Sequence, residues 1–566
     1  MLQTSRSGRM GRASQVAAAA RLLVVAMVVA ACQGSTASAA PASTLPSGSS
    51  ATSAAPAVTA SAAAATFSPY GAPGAAAQLA YPQRTVFVEL FEWKWTDVAT
   101  ECEQWLGPHG FAAALVSPPQ EHAEIDDATN QYPWWERYQA VSYTIDSRSG
   151  TRAEFADMVS RCRAAGVAIY ADVILNHMAA GSGTGSAGTV YTKYSYPGLY
   201  GPSDFHANPN PKYPNVFCDH SVSDWNDPVE VRTCELDGLA DLRTEDPTVQ
   251  DKLAGYLADL YSLGVRGYRI DSAKHIDQNQ LASILNRLRA KLPKGATFFV
   301  DQEVDDFGGD AVPDDLYYPI GSVDDVVYTT DITAGFTHTD ETVSDLQHLD
   351  TAPYVSPGSE SVVFTDNHDT QRGHLGTGLT LSYKRGALYV LANVFMLAYP
   401  LGYPRVMSSY VFSDTEAGPP SDARGQTDSI YAPGSTAPDC GLAPGQWVCE
   451  QRWHAIAGMV GFRDFTAGSP TVTDWWSNPA DGNQVAFGRG SAGFVVINRS
   501  TSPLSQTLQT GLAAGTYCDV VNGDLAAGSA GCTGVSIAVA ADGSARFDVP
   551  PMQAVALHVG AMVAGR

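Results

Sequence analysis

Positive charge is what this 566-residue chain is short of: 34 Lys and Arg stand against 58 Asp and Glu, a formal charge of −24. Phosphate backbones are held by basic faces, so the deficit excludes nucleic acid as a natural partner. It says nothing against uncharged ligands such as sugars. A spanning hydrophobic run is missing from the N-terminus, where one would be sought first. Leu22 to Ala31 is apolar but too short to cross a bilayer as a mature helix, and basic residues Arg6, Arg9, Arg12 and Arg21 lead into it. Residues 1–32 therefore read as an export signal. Charge almost vanishes again from 33 to about 80, where Ala, Ser, Thr, Pro and Gly make a flexible tether rather than a domain.

Cysteine is sparse, with nine residues. Val29-Ala30-Ala31-Cys32 resembles the lipobox of bacterial lipoproteins, in which Cys32 would carry lipid; ordinary cleavage near Ala37-Ser38-Ala39 is the alternative. Setting Cys32 aside leaves eight: Cys102, Cys162, Cys218, Cys234, Cys440, Cys449, Cys518 and Cys532. An even set on an exported chain suggests disulfides whose pairing the sequence alone does not fix. The expected location is extracellular, with membrane contact only through a lipid on Cys32, and the expected state is a monomer.

Hydrophobic residues make up 45% of the chain, enough for a large core, and the 10 Trp and 25 Tyr supply flat surfaces, most of them core. From Tyr81 onward strands and helices alternate. Strands are expected at Thr85–Leu90, Ala112–Val116, Val167–Leu175, Val265–Ile270, Thr297–Val300, Val326–Tyr328, Val362–Thr365 and Phe395–Tyr399. Helices are expected at Trp95–Leu106, capped near Thr96 or Asp97, and at Arg152–Ala165, Val249–Leu263 and Gln280–Lys291. Eight strands in alternation fit a (β/α)8 TIM barrel of class α/β. Residues 178–241, rich in Gly, Ser, Asn, Pro and Tyr, break the rhythm and read as a subdomain inserted after the third strand. After Thr466 short β segments with Gly-rich turns predict an all-β domain. The expected division is 81–177 with 242–466 as barrel, 178–241 as insertion and 467–566 as C-terminal β-sandwich.

In such a barrel the chemistry sits where strands end. Gly267-Tyr268-Arg269-Ile270-Asp271-Ser272-Ala273-Lys274-His275 places a carboxylate at that position, two residues from Arg269; a structural Arg269–Asp271 ion pair is the competing account. Asp172, Asn176 and His177 stand at the third strand, Glu303 closes the fifth, and His368 and Asp369 follow the seventh. Cleaving a glycosidic bond by the retaining route uses such a set: a carboxylate nucleophile, a protonated acid at the leaving oxygen, and further groups stabilising an oxocarbenium-like state.

Asp172-Val173-Ile174-Leu175-Asn176-His177, Gly267 to His275, Val300-Asp301-Gln302-Glu303 and Phe364-Thr365-Asp366-Asn367-His368-Asp369 resemble the four signature regions of α-amylases. The likeness runs from about Val86 to Leu557 and is closest to the animal-type enzymes that also occur in actinobacteria. It implies Asp271 as nucleophile, Glu303 as acid and then base, Asp369 as a grip on sugar hydroxyls, and Arg269 holding Asp271 ionised. Asp172, His177, Lys274, His275 and His368 would contact sugar. Trp134-Trp135-Glu136-Arg137-Tyr138 resembles the family's stacking segment, with Trp134, Trp135 and Tyr138 on sugar faces; a buried Trp pair is the plain alternative. The resemblance also implies Ca2+ held by Asn176, Asp241 and the carbonyls of Arg232 and His275, and Cl− held by Arg269, Asn367 and Arg405. Two buried arginines lacking carboxylates would need an anion, unless Arg405 pairs with a carboxylate instead. The implied disulfides are Cys102–Cys162, Cys218–Cys234, Cys440–Cys449 and Cys518–Cys532.

The implied activity is endo-hydrolysis of α-1,4 bonds in starch, glycogen or maltooligosaccharides. Transfer to another sugar on the same fold, and a silent surface-held starch-binding protein, are the other readings. Asp306–Asp325 has no assignment from its pattern, and Asp414–Pro438 reads only as loop.

Overall fold

The computed structural model describes residues 79–126, 131–208, 210–216, 218, 221–375, 381–435 and 437–564. The signal segment, Cys32 and nearly all of the tether lie outside them. Eight parallel strands close into a barrel in chain order: β1 (Phe87–Leu90), β2 (Ala113–Val116), β3 (Ala168–Ile174), β4 (Gly267–Asp271), β5 (Phe299–Gln302), β6 (Ser322–Asp324), β7 (Ser361–Phe364) and β8 (Tyr403–Ser408), with β8 pairing back onto β1. Parallel strands covered by helices are buried on both faces, which is why they read as unbroken apolar runs. The register sets Asp172 of β3 beside Arg269 of β4, and Arg269 beside Asp301 of β5. Charged side chains thus share one layer of the barrel.

Two expected strands are helix. Val326–Thr337 is helical because Asp325 caps it, accepting from the Tyr328 amide at 2.9 Å. The sixth strand is the three-residue Ser322–Asp324 just before it, inside the unassigned stretch. Phe395–Tyr399 belongs to the helix Ala387–Ala398, which is apolar on every face because it is covered on every face; the eighth strand follows it at Tyr403. A short apolar run cannot distinguish a buried strand from a buried helix. The cap expected at Thr96 or Asp97 is also absent: Lys94 occupies the position without a side-chain bond, and the Asp97 carboxylate instead takes Ser429 Oγ at 3.0 Å and the Ile430 amide at 2.8 Å. Other helix ends follow their sequence signals. Thr151 and Glu154 form a capping box at Arg152–Ala164, and Gly264, with φ 111°, ends Pro247–Leu263.

After β3 the chain leaves the barrel. His177–Met178 pairs with Ala240–Asp241, Ser182–Thr184 with Val190–Thr192, and a short helix covers Pro228–Thr233. The C-terminal part is two four-stranded antiparallel sheets. One is Thr473–Ser477, Gln484–Arg489, Gly493–Asn498 and Gln553–His558; the other is Leu504–Gln509, Ser544–Val549, Ser536–Val539 and Gly515–Cys518. Phe494, Val496 and Leu557 meet Phe547, Leu504 and Val549 between them. Phe395 of the all-apolar helix reaches Phe487 of the first sheet, ring centroids 5.7 Å apart, so one core joins barrel and sandwich.

All four disulfides implied by the resemblance are formed. Cys102–Cys162 spans 60 residues and ties the first two long helices together, worth about 4 kcal/mol in chain entropy. Among the described residues no helix is long and apolar enough to cross a membrane.

Candidate active site

One guanidinium gathers the carboxylates. Arg269, 2% exposed, donates from Nη1 to both Asp172 oxygens at 2.9 Å and to Asp271 Oδ1 at 3.1 Å, and from Nη2 to Glu303 Oε1 at 2.5 Å. The Ser272 amide donates to the other Glu303 oxygen at 2.6 Å. Ser272 sits in the left-handed region, φ 49°, which turns the chain sharply after Asp271 and aims that amide across at β5. On β7, the Asn367 Oδ1 accepts from the Asp369 and Thr370 amides at 3.1 and 2.8 Å, folding the turn that presents Asp369. His368 bridges Asp369 Oδ2 at 3.2 Å and Glu89 Oε1 at 2.8 Å. The structure thus brings Asp172, Asp271, Glu303 and Asp369 to the C-terminal end of one barrel.

Burial raises the Asp271 pKa well above the ordinary carboxylate value, the Glu303 charge raises it further, and Arg269 opposes both. Asp172 is pushed up to about 6 by burial against the same arginine. Asp369 also rises through burial, with His368 pulling the other way. Arg269, expected to hold Asp271 ionised, does favour its charged form, and the same guanidinium serves Asp172 and Glu303 as well. Tightly interacting groups titrate as a set, so the direction of the shift belongs to the cluster and not to Asp271 alone.

Burial disfavours the charged form of three histidines at the site. Burial lowers His177 to about 4, His275 to about 4 and His368 to about 3. His177 Nε2 meets the Tyr138 carbonyl at 3.0 Å while its buried Nδ1 has no partner, leaving a free ring nitrogen beside the carboxylates. Tyr138 donates to Asp172 Oδ2 at 3.0 Å and stacks on His368. Trp134 is buried against Tyr138, His368 and His374, so it supports the site more than it lines it. Trp135 is the half-exposed member, held by Glu416 Oε2 at 2.7 Å. Lys274 Nζ is fixed by the Asp305 carbonyl at 2.5 Å and Asp310 Oδ2 at 2.7 Å.

A cation fits the insertion junction. Asp241 Oδ1 and Asn176 Nδ2 are both buried with no hydrogen-bond partner, and the Leu242 amide donates to the Asn176 carbonyl at 2.9 Å. Burial lifts Asp241 to about 6, although His206 on its Oδ2 pulls the other way. His275 Nδ1 donates to the Val231 carbonyl at 2.7 Å, so the segment carrying Arg232 abuts the one carrying His275. The Arg232 side chain itself points to Asp277 and Gln278. Among the described residues no three His, Cys, Asp or Glu side chains gather as a metal cluster. One carboxylate, one amide and backbone carbonyls, the oxygen set a hard cation takes, are compatible with that.

The charge argument for chloride does not hold. Neither arginine lacks carboxylates: Arg405 contacts Asp324 Oδ1 at 2.9 Å, Asp301 Oδ2 at 3.4 Å and Glu89 Oε2 at 3.5 Å. The buried Arg405 Nε makes no hydrogen bond, and the carboxylate facing it is Glu89 Oε2 at 3.5 Å.

Several participants carry no motif. Glu89 shows only as a lone acid in the apolar run Phe87–Leu90. His206, which meets Asp241 Oδ2 at 2.5 Å and Glu245 Oε2 at 3.0 Å, is hidden in the irregular insertion. Glu416, on Trp135, lies in the stretch read only as loop.

Comparison with known proteins points to one family. Residues 110–302 match the family described as "Alpha amylase, catalytic domain", and 475–560 match "Alpha amylase, C-terminal all-beta domain". The chain is 43% identical to an α-amylase of Thermomonospora curvata over 489 residues, covering 84% of this chain and 74% of that one. It is 40% identical to the pancreatic α-amylase of Sus scrofa, covering 82% and 92%. The crystal structure of α-amylase I from Eisenia fetida superposes with a TM-score of 0.75 at 37% identity, covering 86% and 99%. A mutant of that earthworm enzyme in complex with maltohexaose matches at 0.74.

Proposed function

The chain belongs to the α-amylase family of glycoside hydrolases, and on that premise we propose that it is an exported enzyme cutting internal α-1,4 bonds of starch and glycogen with retention. The observation that carries the reading is the Arg269 fork, whose two terminal nitrogens hold Asp271 and Glu303 at 3.1 and 2.5 Å. Carboxyls tied to one guanidinium favour the separation of about 5 Å of retaining pairs over the wider inverting one.

In the first step an Asp271 oxygen attacks the anomeric carbon as the glycosidic C–O bond breaks, and Glu303 gives its proton to the departing oxygen. Water then enters, Glu303 takes its proton back, and the hydroxyl displaces Asp271, restoring the original configuration. Asp369, steadied by His368, grips ring hydroxyls, and His177 and His275 contact hydroxyls beside the cleaved bond. Trp135 offers its half-exposed face to a sugar ring, with Trp134 and Tyr138 behind it. Ca2+, where bound, would fix the cleft wall by joining the insertion to the barrel through Asn176, Asp241 and the carbonyls of Arg232 and His275. Chloride at Arg269, Asn367 and Arg405 is part of the proposal and rests on the family resemblance alone, since carboxylates face both arginines. We assign residues 178–241 to the cleft-forming insertion and 467–566 to the sandwich. Four disulfides suit an oxidising compartment.

The test is reducing sugar released from soluble starch. Glu303→Gln should lose roughly 10²-fold or more in rate, the scale of general acid–base catalysis. An unchanged rate would remove Glu303 from the mechanism, and products of a single length released only from chain ends would remove the endo mode.

A further inference from the structure

The opposite end of the barrel carries an open hollow, of about 400 Å³, that the starch chemistry does not use. It is lined by the first residues of four strands, Phe299, Ser322, Ser361 and Tyr403, and by Arg84, by Arg463 of the helix His454–Thr466 and by Arg489 of the sandwich. Arg463 and Arg489 are 6% and 2% exposed. In a chain with net charge −24, three arginines lining one hollow is an unusual concentration.

None of the three forms an ion pair with a carboxylate among the described residues. Arg84 donates to the carbonyls of Phe111, Gly166 and Gly107 at 3.0, 3.0 and 2.9 Å. Arg463 donates to those of Tyr399, Leu401 and Gly402, and Arg489 to those of Ser469, Ala398 and Thr466. Each guanidinium has five N–H groups, so each retains donors beyond those bonds. Ala398 and Thr466 end helices, and each helix end offers about half a negative charge, less than the three cations carry. Asp464 is the nearby carboxylate: its Oδ1 accepts from the Thr85 amide and hydroxyl, both at 2.8 Å, its buried Oδ2 has no hydrogen-bond partner, and burial lifts its pKa to about 7. Burial lowers Arg489 to about 9, with repulsion from Arg463 adding to it, and lowers Arg463 to about 10.

We propose that this hollow is a binding site for a small phosphate-bearing molecule, seated on Arg84, Arg463 and Arg489 where barrel and sandwich meet. A fork of guanidinium donors suits a phosphate, whose oxygens accept several charge-assisted bonds, better than a monatomic ion. The volume admits a metabolite-sized ligand. Occupation would tie the two domains together and add to stability by mass action.

Inorganic phosphate and glucose 6-phosphate are the probes, titrated by calorimetry at constant ionic strength and chloride. Saturable binding of either is expected, with glucose 6-phosphate the tighter if the hollow accepts the sugar. Arg84→Gln and Arg463→Met should each weaken it about ten- to hundredfold, the range for losing a charged hydrogen bond. Starch hydrolysis should persist in both variants, which certifies their folding, since these residues lie at the end of the barrel away from the carboxylates. If Arg463→Met does not fold, the half-exposed Arg84 still decides. A melting temperature that climbs with phosphate without saturating is the general salting effect, and with no calorimetric isotherm it overturns the site. Equal affinity in wild type and Arg84→Gln also overturns it.

Discussion

Glu450→Gln isolates a buried acid that reaches the Asp369 turn through a chain of hydrogen bonds. The Ser409 amide donates to Glu450 Oε2 at 2.8 Å and the Ser409 hydroxyl to the other oxygen. Gln371 Nε2 bonds both Ser409 Oγ and Asp366 Oδ2 at 2.7 Å, and Tyr389 closes the network on Asp366 Oδ1 at 2.9 Å. Burial lifts Glu450 from 4.5 to about 8, with Asp366, itself raised by burial to about 7, repelling it. The fold therefore prefers the protonated acid. Its contribution is fully present below pH 4.5, where folded and unfolded chains are both protonated, and is lost as pH rises through 8. Each pH unit in that window costs about 1.4 kcal/mol, so between pH 5 and 7.5 wild type loses about 3 kcal/mol on this account. The amide of the variant has nothing to ionise, and Asp366 titrates in both proteins. The difference in unfolding free energy between variant and wild type, from urea midpoints at four pH values, should move in favour of the variant by that amount. A difference that stays constant within about 1 kcal/mol would show that Glu450 is ionised in the fold and that the network is a hydrogen-bonded anion.

Chelation should lower the melting temperature of wild type and leave Asp241→Asn, already weakened, nearly unmoved; equal shifts would separate Asp241 from the cation. The pH–rate profile should change on removing chloride, and identical profiles would reject an anion at Arg405. Replacing Cys102 and Cys162 together by Ala should cost about 4 kcal/mol in unfolding experiments, and a loss under about 1 kcal/mol would mean the bridged ends are held by packing alone. Cys32→Ser should move the protein from the membrane fraction to the medium if that residue is lipidated, whereas unchanged partitioning points to cleavage further on.

The parts of the fold legible in sequence were those where a local rule acts by itself. Thr151 with Glu154, and Gly264 after Leu263, mark helix ends because capping depends on neighbours in the chain. Val326 and Phe395 misled because an apolar stretch looks the same whether sheet or helix buries it. The acids at strand ends were legible through motif and order, and the barrel explains why distant segments converge. The partners were not legible. That Arg269 would fork three carboxylates, that Glu89 and Asp324 would claim Arg405, and that His206 would sit on Asp241 are all contacts across more than one element. The chloride argument failed there, since it assumed arginines without acids and only the tertiary arrangement supplies the acids.

The helix Ala387–Ala398 lies against the final strand's sheet, and the Ala398 carbonyl is bonded by Arg489. On a ribosome its cover comes last. At roughly 5 to 20 residues per second, the chain between Ala398 and His558 takes about ten to thirty seconds to emerge. Over that interval the strand Tyr403–Ser408 closes the cylinder and the helix His454–Thr466 covers part of the rod, but the face that meets the sandwich stays bare. Folding of this protein is thereby pushed to the end of synthesis, and shortening the gene from its 3′ side would strand a sticky intermediate instead of yielding a smaller enzyme.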